Sequence, residues 1–315
     1  MKDSHFQNKP IKSINKIISI WNKSPIWSIL KLSDSRIAAG GANGSIKIYT
    51  VNLKSQIYEL DIEQKIHDYD IYSLCELPNS KIISSSGDKT LKIFQFSKDE
   101  LSHIKTLISH NKWVIKVLLL TNNLIISSSF DQTLKIWESN EPYEQLTTIK
   151  TYFIVYSILQ LKNQEVLVIG GDSVKIEFWN LNTFVKENSV QCCGSYTYCG
   201  LIELPNNLIA VSGGDANSID IIDSVNRVVI KQIEDTQSIS GRWLTYSALQ
   251  LFNEHSFIYA HHGCLCQISM NNFELIYKVK VNGEFKGTNL IIMEGDHYIL
   301  GSNFREILSV FQVTF

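Results

Sequence analysis

The feature that most constrains the fold of this chain is an internal repeat. Several segments share a short pattern in which a small residue follows a large apolar one, as in Ile71-Tyr72-Ser73-Leu74. Aligning the rest of the chain on that small residue gives anchors that lie 41 to 47 residues apart. The seven anchors are Ser28, Ser73, Lys116, Ser157, Gly200, Ser247 and Asn289. A repeat of this kind is one structural unit that buries its apolar face against its neighbours, so it sets the architecture of the chain.

Within each repeat the sequence predicts short strands and no major helix. In the second repeat, the apolar run Lys81–Ile83 leads to a tight turn at Gly87–Lys89 and then to the alternating segment Thr90–Phe94. Alternation with a period of two, bounded by turn residues, is typical of half-buried strands. A period of roughly 40–45 residues is that of a four-stranded propeller blade. We therefore predict an all-β fold, a seven-bladed β-propeller of four-stranded antiparallel blades.

The two ends of the chain predict how the propeller closes. The last repeat, residues 288–315, has room for only three strands, and a spare strand-like segment, Ser13–Ile20, precedes the first anchor. Pairing this N-terminal strand with the C-terminal three completes the last blade and removes open sheet edges. In this interpretation residues 1–11 are an N-terminal tail and residues 12–315 are a single propeller domain.

Charge and hydropathy exclude several classes of partner. The chain has 29 Lys and Arg and 31 Asp and Glu, a net charge of −2, so nucleic acid is not expected as its main partner. It contains no apolar run of about 18 residues and no signal-peptide pattern, which predicts neither membrane insertion nor secretion. We expect a cytoplasmic protein, with a nuclear location left open.

Two repeats resemble the WD-repeat family. Ser109-His110 stands where that family usually has Gly-His, Trp113-Val114 opens the next strand, and Ser127–Trp137 is similar to the family's most regular segment. Residues 67–94 repeat the pattern, with Phe94 where tryptophan is typical. The resemblance implies a buried chain of side-chain hydrogen bonds that locks each blade. Its predicted members are His67, Ser84, Asp88, His110, Ser127, Asp131 and Trp137.

The family pattern decays in the other repeats. The first repeat has Asn22, Asn43 and Tyr49 in the histidine, aspartate and tryptophan positions, and the fourth keeps Trp179 with Asp172 one place out of register. The spacing of strands persists through all seven repeats. The resemblance thus implies the hydrogen-bond chain for the second and third repeats and leaves it open for repeats four to seven.

The same residues contain the types found in a hydrolase triad. His110, Ser127 and Asp131 have counterparts of the same type 43 positions earlier. An enzyme needs one exposed nucleophile with a base in reach, so two copies at equivalent repeat positions favour a structural role. We predict that the chain is not an enzyme and needs no cofactor.

Cysteine and histidine are clustered without the spacing of a metal site. Cys192, Cys193 and Cys199 form one group, and the segment His261–Cys266 contains the other. Zinc needs about four convergent ligands, commonly in paired CxxC or HxxxH spacings. We predict no metal site, and we expect Cys264 and Cys266, which would point to the same face of one strand, to fill core positions.

Aromatic residues are the strongest candidates for a binding surface. Four of the seven residues that precede an anchor are aromatic, and such positions lie near one mouth of a propeller's channel. Aromatic and arginine side chains are enriched in interface hot spots. The alternative, left open, is that the same rings fill gaps between blades. The candidate partner-binding residues are Tyr72, Trp113, Phe130, Trp27, Tyr156, Tyr246, Arg242 and Trp243, of which the first three are expected to be exposed.

The resemblance implies a non-catalytic scaffold that binds a partner protein or peptide on the loop face and channel mouth. One alternative is a dedicated subunit of a larger assembly, such as a ubiquitin-ligase substrate receptor, a vesicle-coat component or a ciliary component. A further alternative is a propeller enzyme with its active site in the channel. The identity of the partner and the oligomeric state stay open.

Overall fold

The architecture is all-β, as predicted. The computed structural model describes residues 11–21, 24–162, 165–192, 200–212, 218–234, 248–261, 264–280, 290–293, 298–302 and 307–314. Within these ranges there are 28 strands, one 3-10 turn at Ala42–Gly44 and no α-helix. No helix in the described ranges has the length and apolar character needed to cross a membrane.

The strands follow one another at short intervals along the chain. They are β1 (Ser13–Trp21), β2 (Ile26–Lys31), β3 (Ile37–Gly41), β4 (Ser45–Asn52), β5 (Ile57–Lys65), β6 (Ile71–Leu77), β7 (Lys81–Ser86), β8 (Thr90–Phe96), β9 (Leu101–Ile108), β10 (Val114–Leu119), β11 (Leu124–Ser129), β12 (Thr133–Glu138), β13 (Gln145–Lys150), β14 (Val155–Gln160), β15 (Val166–Gly171), β16 (Lys175–Asn180), β17 (Lys186–Gln191), β18 (Gly200–Leu204), β19 (Leu208–Ser212), β20 (Ser218–Asp223), β21 (Val228–Glu234), β22 (Ala248–Asn253), β23 (Ser256–His261), β24 (Cys264–Ser269), β25 (Leu275–Lys280), β26 (Leu290–Met293), β27 (Tyr298–Ser302) and β28 (Ile307–Thr314).

Every described strand belongs to a four-stranded sheet, and neighbouring strands pair antiparallel wherever their register is resolved. Six of the seven sheets formed by the described residues use four strands in chain order. These are β2–β5, β6–β9, β10–β13, β14–β17, β18–β21 and β22–β25. The prediction of four-stranded antiparallel units from the period of the repeat is confirmed.

The remaining sheet draws its strands from both ends of the chain, in the order β1-β28-β27-β26. Strand β1 runs antiparallel to β28 from the pair Ser13–Thr314 to the pair Trp21–Ile307. The predicted pairing of the N-terminal strand with the last three strands is therefore present.

The chain divides into two compact units. One comprises residues 22–158 and 304–306, and the other comprises residues 1–21, 159–303 and 307–315. Each has its own apolar core: Ile46, Ile71 and Ile82 lie in a cluster of the first unit, and Phe257 and Ile221 lie in a cluster of the second. All five side chains are fully excluded from solvent.

Burial falls from the second strand of a sheet to its outermost strand. Strands β7 and β11 are buried from their second residue onward, whereas β13 has no buried residue. The buried second strands are rich in serine, alanine and glycine, whose small side chains let neighbouring sheets approach closely. A Cβ atom placed on Gly40 would come within 2.8 Å of the Ile71 side chain in the next sheet. Small residues at these positions are therefore a packing requirement.

A β-bulge interrupts the first strand of three successive sheets in the first unit. The register shifts between Ile26 and Ser28, between Ile71 and Ser73, and between Val114 and Lys116. The extra residues are therefore the ones that precede the anchors, Trp27, Tyr72 and Ile115. A bulge leaves its extra residue unpaired in the ladder and re-aims its side chain, and here that residue is the second of β2, β6 and β10.

Candidate functional site

Five aromatic side chains of the first unit form a continuous row. The ring centroids are 6.3 Å apart for Trp27 and Tyr72, 5.9 Å for Tyr72 and Trp113, 5.3 Å for Trp113 and Phe130, and 6.0 Å for Phe130 and Tyr156. These separations lie in the range of favourable aromatic pairs. We call these five residues the aromatic row.

The row runs across the beginnings of four first strands. Trp27 and Tyr72 are the bulged residues of β2 and β6, and Tyr156 is the second residue of β14. Trp113 directly precedes β10, and its carbonyl accepts a 2.9 Å hydrogen bond from the backbone N–H of Phe130. The repeat therefore brings together residues that lie up to 129 positions apart in the sequence.

Exposure differs along the row. Trp113 keeps 46% of its surface accessible to solvent, while the other four members are half-buried. Two further tyrosines in the loops that lead into β6 and β14 are more exposed, Tyr69 at 62% and Tyr152 at 86%. Sequence reasoning did not single out these two, because they do not occupy the position before an anchor.

Gly87 leaves the space in which two members of the row meet. A Cβ atom at this position would lie 3.4 Å from Tyr72 Cε2 and 3.7 Å from Trp113 Cδ1. Phe130 occupies the equivalent position in the next repeat, directly before the turn aspartate. The position before the turn aspartate is therefore a glycine in the second repeat and a member of the aromatic row, Phe130, in the third.

A carboxylate is held at one end of the row. The indole N–H of Trp27 donates a 2.9 Å hydrogen bond to Oδ2 of Asp70. Asp70 directly precedes β6 and is half-buried. Its position in the repeat corresponds to that of Trp113, a signal that could have identified it.

The third repeat contains a chain of four hydrogen-bonded side chains. The Trp137 indole N–H donates to Ser127 Oγ over 3.0 Å, and Ser127 Oγ lies 2.9 Å from His110 Nε2. His110 Nδ1 lies 3.0 Å from Asp131 Oδ2. Because tryptophan is only a donor, Ser127 is free to donate its own hydrogen to Nε2, which leaves the imidazole proton on Nδ1 facing the carboxylate.

The second repeat builds the same chain without its first member. His67 Nε2 lies 2.8 Å from Ser84 Oγ, and His67 Nδ1 lies 2.7 Å from Asp88 Oδ2. Phe94 occupies the tryptophan position and is almost fully buried, but it has no N–H to donate to Ser84. Ser84 Oγ instead lies 3.3 Å from the backbone carbonyl of Lys92, to which it can donate.

Burial and hydrogen bonding fix the charge of these groups. Burial lowers the pKa of His67 and of His110, and the neighbouring carboxylates oppose this effect only in part. Burial alone would raise the pKa of Asp88 and Asp131, but the hydrogen bonds from the histidine and from the following threonine hold the pKa of each carboxyl below its usual range. Neutral imidazoles thus face carboxylates that are ionised at neutral pH.

The serines of both trios are closed to a substrate. Ser84 and Ser127 have no solvent-accessible surface. A catalytic serine needs an exposed Oγ beside its base, so the arrangement suits cross-linking of strands and not acyl transfer.

Several candidate residues have other surroundings or lie outside the described ranges. Tyr246, Arg242 and Trp243 are among the latter, as are Cys193, Cys199 and His262. In the fourth repeat, Trp179 donates to Glu177 Oε2 over 3.0 Å and not to a serine. The described cysteines form no disulfide, and no group of three His, Cys, Asp or Glu within the described ranges could hold a metal ion.

Comparison with known proteins agrees with this geometry. The family model described as "WD domain, G-beta repeat" matches residues 60–95 and 101–138. These segments contain both histidine trios and three members of the aromatic row. Among curated proteins, none matches the chain at a significant level. The chain therefore contains two segments that are similar to WD repeats, and the described strands around them form four-stranded antiparallel sheets.

Proposed function

We propose that this chain is a non-catalytic scaffold that binds a partner protein or peptide through the aromatic row. The observation that carries the proposal is the continuity of five rings joined by four contacts, with a 46% exposed tryptophan at the centre of the row. Contiguous exposed apolar surface is costly in a soluble protein and typically marks a binding site. Aromatic side chains supply most of the binding energy in many interfaces.

The proposal includes the arrangement of the sheets. The seven sheets act as the blades of one closed propeller over residues 12–315, and the row lies on the loop face at the mouth of its channel. The regular spacing of the anchors and the sheet shared by β1 and β28 support this arrangement. A partner peptide would then lie across the beginnings of several first strands.

In this proposal the two histidine–serine–aspartate trios hold the loops of the binding surface in place and take no part in a reaction. Their serines are buried and their hydrogen bonds connect the loop before each sheet to the turn that follows its second strand. These two segments also carry Trp113 and Phe130. A fixed loop geometry reduces the ordering that binding would otherwise require.

The experiment is affinity capture with the full chain and with two variants. The double variant Trp113→Ala/Phe130→Ala is expected to lose most captured partners, because truncating a hot-spot aromatic costs about 2 kcal/mol or more of binding energy. Tyr58→Ala is the matched control, since Tyr58 is a 41% exposed aromatic residue on the outer strand β5. Thermal unfolding distinguishes a binding role from a packing role, because truncation in a core costs about 3–5 kcal/mol of stability. Capture of the same partners by the double variant would refute the proposal.

A further inference from the structure

A cleft of about 600 Å³ opens between the sheets β2–β5 and β6–β9 of the first unit. The outer strand β5 forms one wall, and the turn between β8 and β9, residues 97–99, forms the other. The turn between β2 and β3 also lines it, so the cleft lies at the opposite end of these sheets from the aromatic row. Its volume is in the range of protein ligand pockets, roughly 300–1,000 Å³.

Arg36 connects the two turns that line the cleft. Its Nε donates to Asp34 Oδ2 over 2.8 Å within the turn between β2 and β3. Its Nη2 and Nη1 donate to the backbone carbonyls of Ser97 and Lys98 over 2.8 and 2.9 Å. The guanidinium carbon also lies 5.7 Å from the centre of the Phe96 ring. The cleft is therefore held in shape by its own residues.

Carboxylates outnumber cations in the cleft. The two cations in its lining are Arg36 and Lys98, and the four carboxylates are Asp34, Glu59, Asp61 and Asp99, which leaves a net charge of −2. Glu59 and Asp99 are exposed, and neither carboxylate forms a hydrogen bond or an ion pair with a described residue. The cleft therefore attracts a cationic group.

The register of β5 directs two of these carboxylates toward the cleft. Glu59 pairs with Thr50 of β4, and directly paired residues share a face of the sheet. Asp61 is the extra residue of a bulge, and its Oδ2 accepts the Thr50 hydroxyl over 2.8 Å. Ile57 is two residues before Glu59, so it lies on the same face, and it is 62% exposed. This face of β5 thus presents an apolar side chain followed by two carboxylates.

The outer edge of β5 is uncovered in the part of the chain that the structure describes. Strand β5 is the last of its sheet, and no described group outside β4 forms a hydrogen bond with the backbone of residues 57–65. Residues 57–60 pair with β4 without a bulge and include neither lysine nor proline, which commonly protect an edge. Such an edge is a row of N–H and C=O groups that an extended segment of another chain can pair with.

We propose that a basic, extended segment of a partner protein pairs with the edge of β5 as a fifth strand and directs cationic side chains into the cleft. Successive side chains of a strand point to opposite faces, so lysine or arginine at every second position would face Glu59 and Asp61. Their aliphatic stems would lie along Ile57. Because this surface is at the other end of the sheets from the aromatic row, it goes beyond the proposed function.

The test measures the binding of fluorescein-labelled pentapeptides to the full chain by fluorescence anisotropy. The alternating peptide Thr-Lys-Thr-Lys-Thr is compared with Thr-Lys-Lys-Thr-Thr, which has the same composition, and with Thr-Glu-Thr-Glu-Thr. We expect the alternating peptide to bind about fivefold more tightly than its isomer, since the isomer turns one charge away from the cleft, and the acidic peptide not to bind. Equal binding of the two lysine peptides would show attraction by net charge alone and would overturn the proposal.

Two backbone-modified probes test the strand pairing itself. In one the lysines of the alternating peptide are N-methylated, and in the other the threonines. A strand in an antiparallel or parallel pair turns alternate N–H groups toward its neighbour, so only one of the two probes should lose binding, by about tenfold or more. Equal loss in both probes, or no loss in either, would contradict pairing with β5.

Matched variants test the two carboxylates. Glu59→Gln and Asp61→Asn should each weaken binding of the alternating peptide about fivefold, and Asp61→Asn keeps an oxygen for Thr50. Glu63→Gln removes the same charge from the same strand, but Glu63 pairs with Lys47 and does not line the cleft. It should leave the affinity within about twofold. An equal loss in Glu63→Gln would show that the cleft has no specific role.

Failure of this proposal is distinguishable from failure of the proposed function. The alternating peptide should bind equally well to Trp113→Ala/Phe130→Ala, and a loss of binding there would contradict its location on β5. Tyr58 faces away from the cleft, with its ring 6.4 Å from that of Tyr49. Tyr58→Ala therefore changes neither the cleft carboxylates nor the β5 backbone, and it remains a control for capture through the row.

Discussion

His110 Nδ1 lies 3.0 Å from Asp131 Oδ2, at a place where 1% of the histidine side chain and 8% of the aspartate side chain are exposed. The ring is kept neutral by burial, and the carboxyl is kept ionised by the bonds that it accepts. His67 and Asp88 repeat this relationship in the neighbouring sheet. Both pairs therefore connect the stability of the fold to pH.

The first prediction concerns mild acid. A histidine whose pKa is lower in the folded chain than its unfolded value of about 6.5 stabilises the fold fully above that value. This contribution is lost as pH falls below it, because the unfolded chain takes up the proton first. The melting temperature should therefore fall between pH 7.5 and pH 5, and the double variant His67→Gln/His110→Gln should show a smaller fall. An identical pH dependence in the variant would contradict this explanation. At lower pH the two aspartates act in the same direction, since their contribution is present above about 3.9 and disappears as they are protonated.

The second prediction concerns the indole of Trp137. Trp137→Phe removes the N–H that Ser127 accepts and should lower the free energy of unfolding by about 1 kcal/mol. Trp179→Phe is the control, because the Trp179 N–H reaches a glutamate at a less buried position. Urea unfolding measures both, and an equal or larger loss in Trp179→Phe would disagree with the assigned role.

The third prediction compares two serines at equivalent positions. Ser128 Oγ donates to the carbonyl of Val155 over 2.8 Å, whereas the buried Ser85 Oγ has no hydrogen-bond partner among the described residues. Ser128→Ala should destabilise by about 1–2 kcal/mol, because a buried carbonyl loses its donor. Ser85→Ala should be neutral or stabilising, because it removes a buried polar atom that gains nothing from folding. Denaturant midpoints of the two variants provide the comparison, and the reverse ranking would refute it.

The fourth prediction concerns a carboxylate that joins two sheets. Glu76 accepts the backbone N–H of Ser33 over 2.9 Å and the hydroxyl of Ser33 over 2.6 Å. Glu76→Ala should cost about 1 kcal/mol of stability. Glu100→Ala serves as the control, because among the described residues the Glu100 carboxylate is bonded only to Ser102, two positions away. The measurement is the difference in melting temperature, and a loss shared equally by both variants would point to charge alone.

The fifth prediction concerns strand β1. A chain that lacks residues 1–21 loses the partner of β28 and the buried side chains of Ile18 and Ile20. It should aggregate or melt at a clearly lower temperature, since β28 then becomes an uncovered edge. A chain that lacks only residues 1–9 should melt as the full chain does. If both deletions left the melting curve unchanged, β1 would have no role in stability.

Much of the fold follows from patterns that the sequence displays directly. The period of the anchors predicts four-stranded units, and the shortage of one strand after residue 288 predicts the pairing of β1 with β28. The resemblance in residues 67–94 and 109–137 implies the hydrogen bonds of both histidines, which are local to one repeat. Such features depend on spacing within about 20 residues or on a simple count of strands.

The site depends on contacts between repeats, which no local pattern specifies. The bond between Trp27 and Asp70 spans 43 positions and depends on how two sheets meet. The bulge that re-aims Tyr72 has no clear signal, because Ile71-Tyr72-Ser73 reads as ordinary strand. The exposure of Tyr69 and Tyr152 depends likewise on which loops pack and which do not. Sequence reasoning therefore named the members of the aromatic row but not its order or its acidic end.

The pairing of Ser13 with Thr314 also has a consequence for synthesis on the ribosome. Six sheets consist of consecutive strands, so each can assemble soon after its own residues leave the exit tunnel. Strand β1 is made long before β28 and must wait for residues 307–314, and bringing together such distant segments is slow. During that interval its apolar residues have no partner of their own. A chaperone that holds nascent strands would therefore protect β1 until β28 has been made, because an unpaired strand is prone to aggregate.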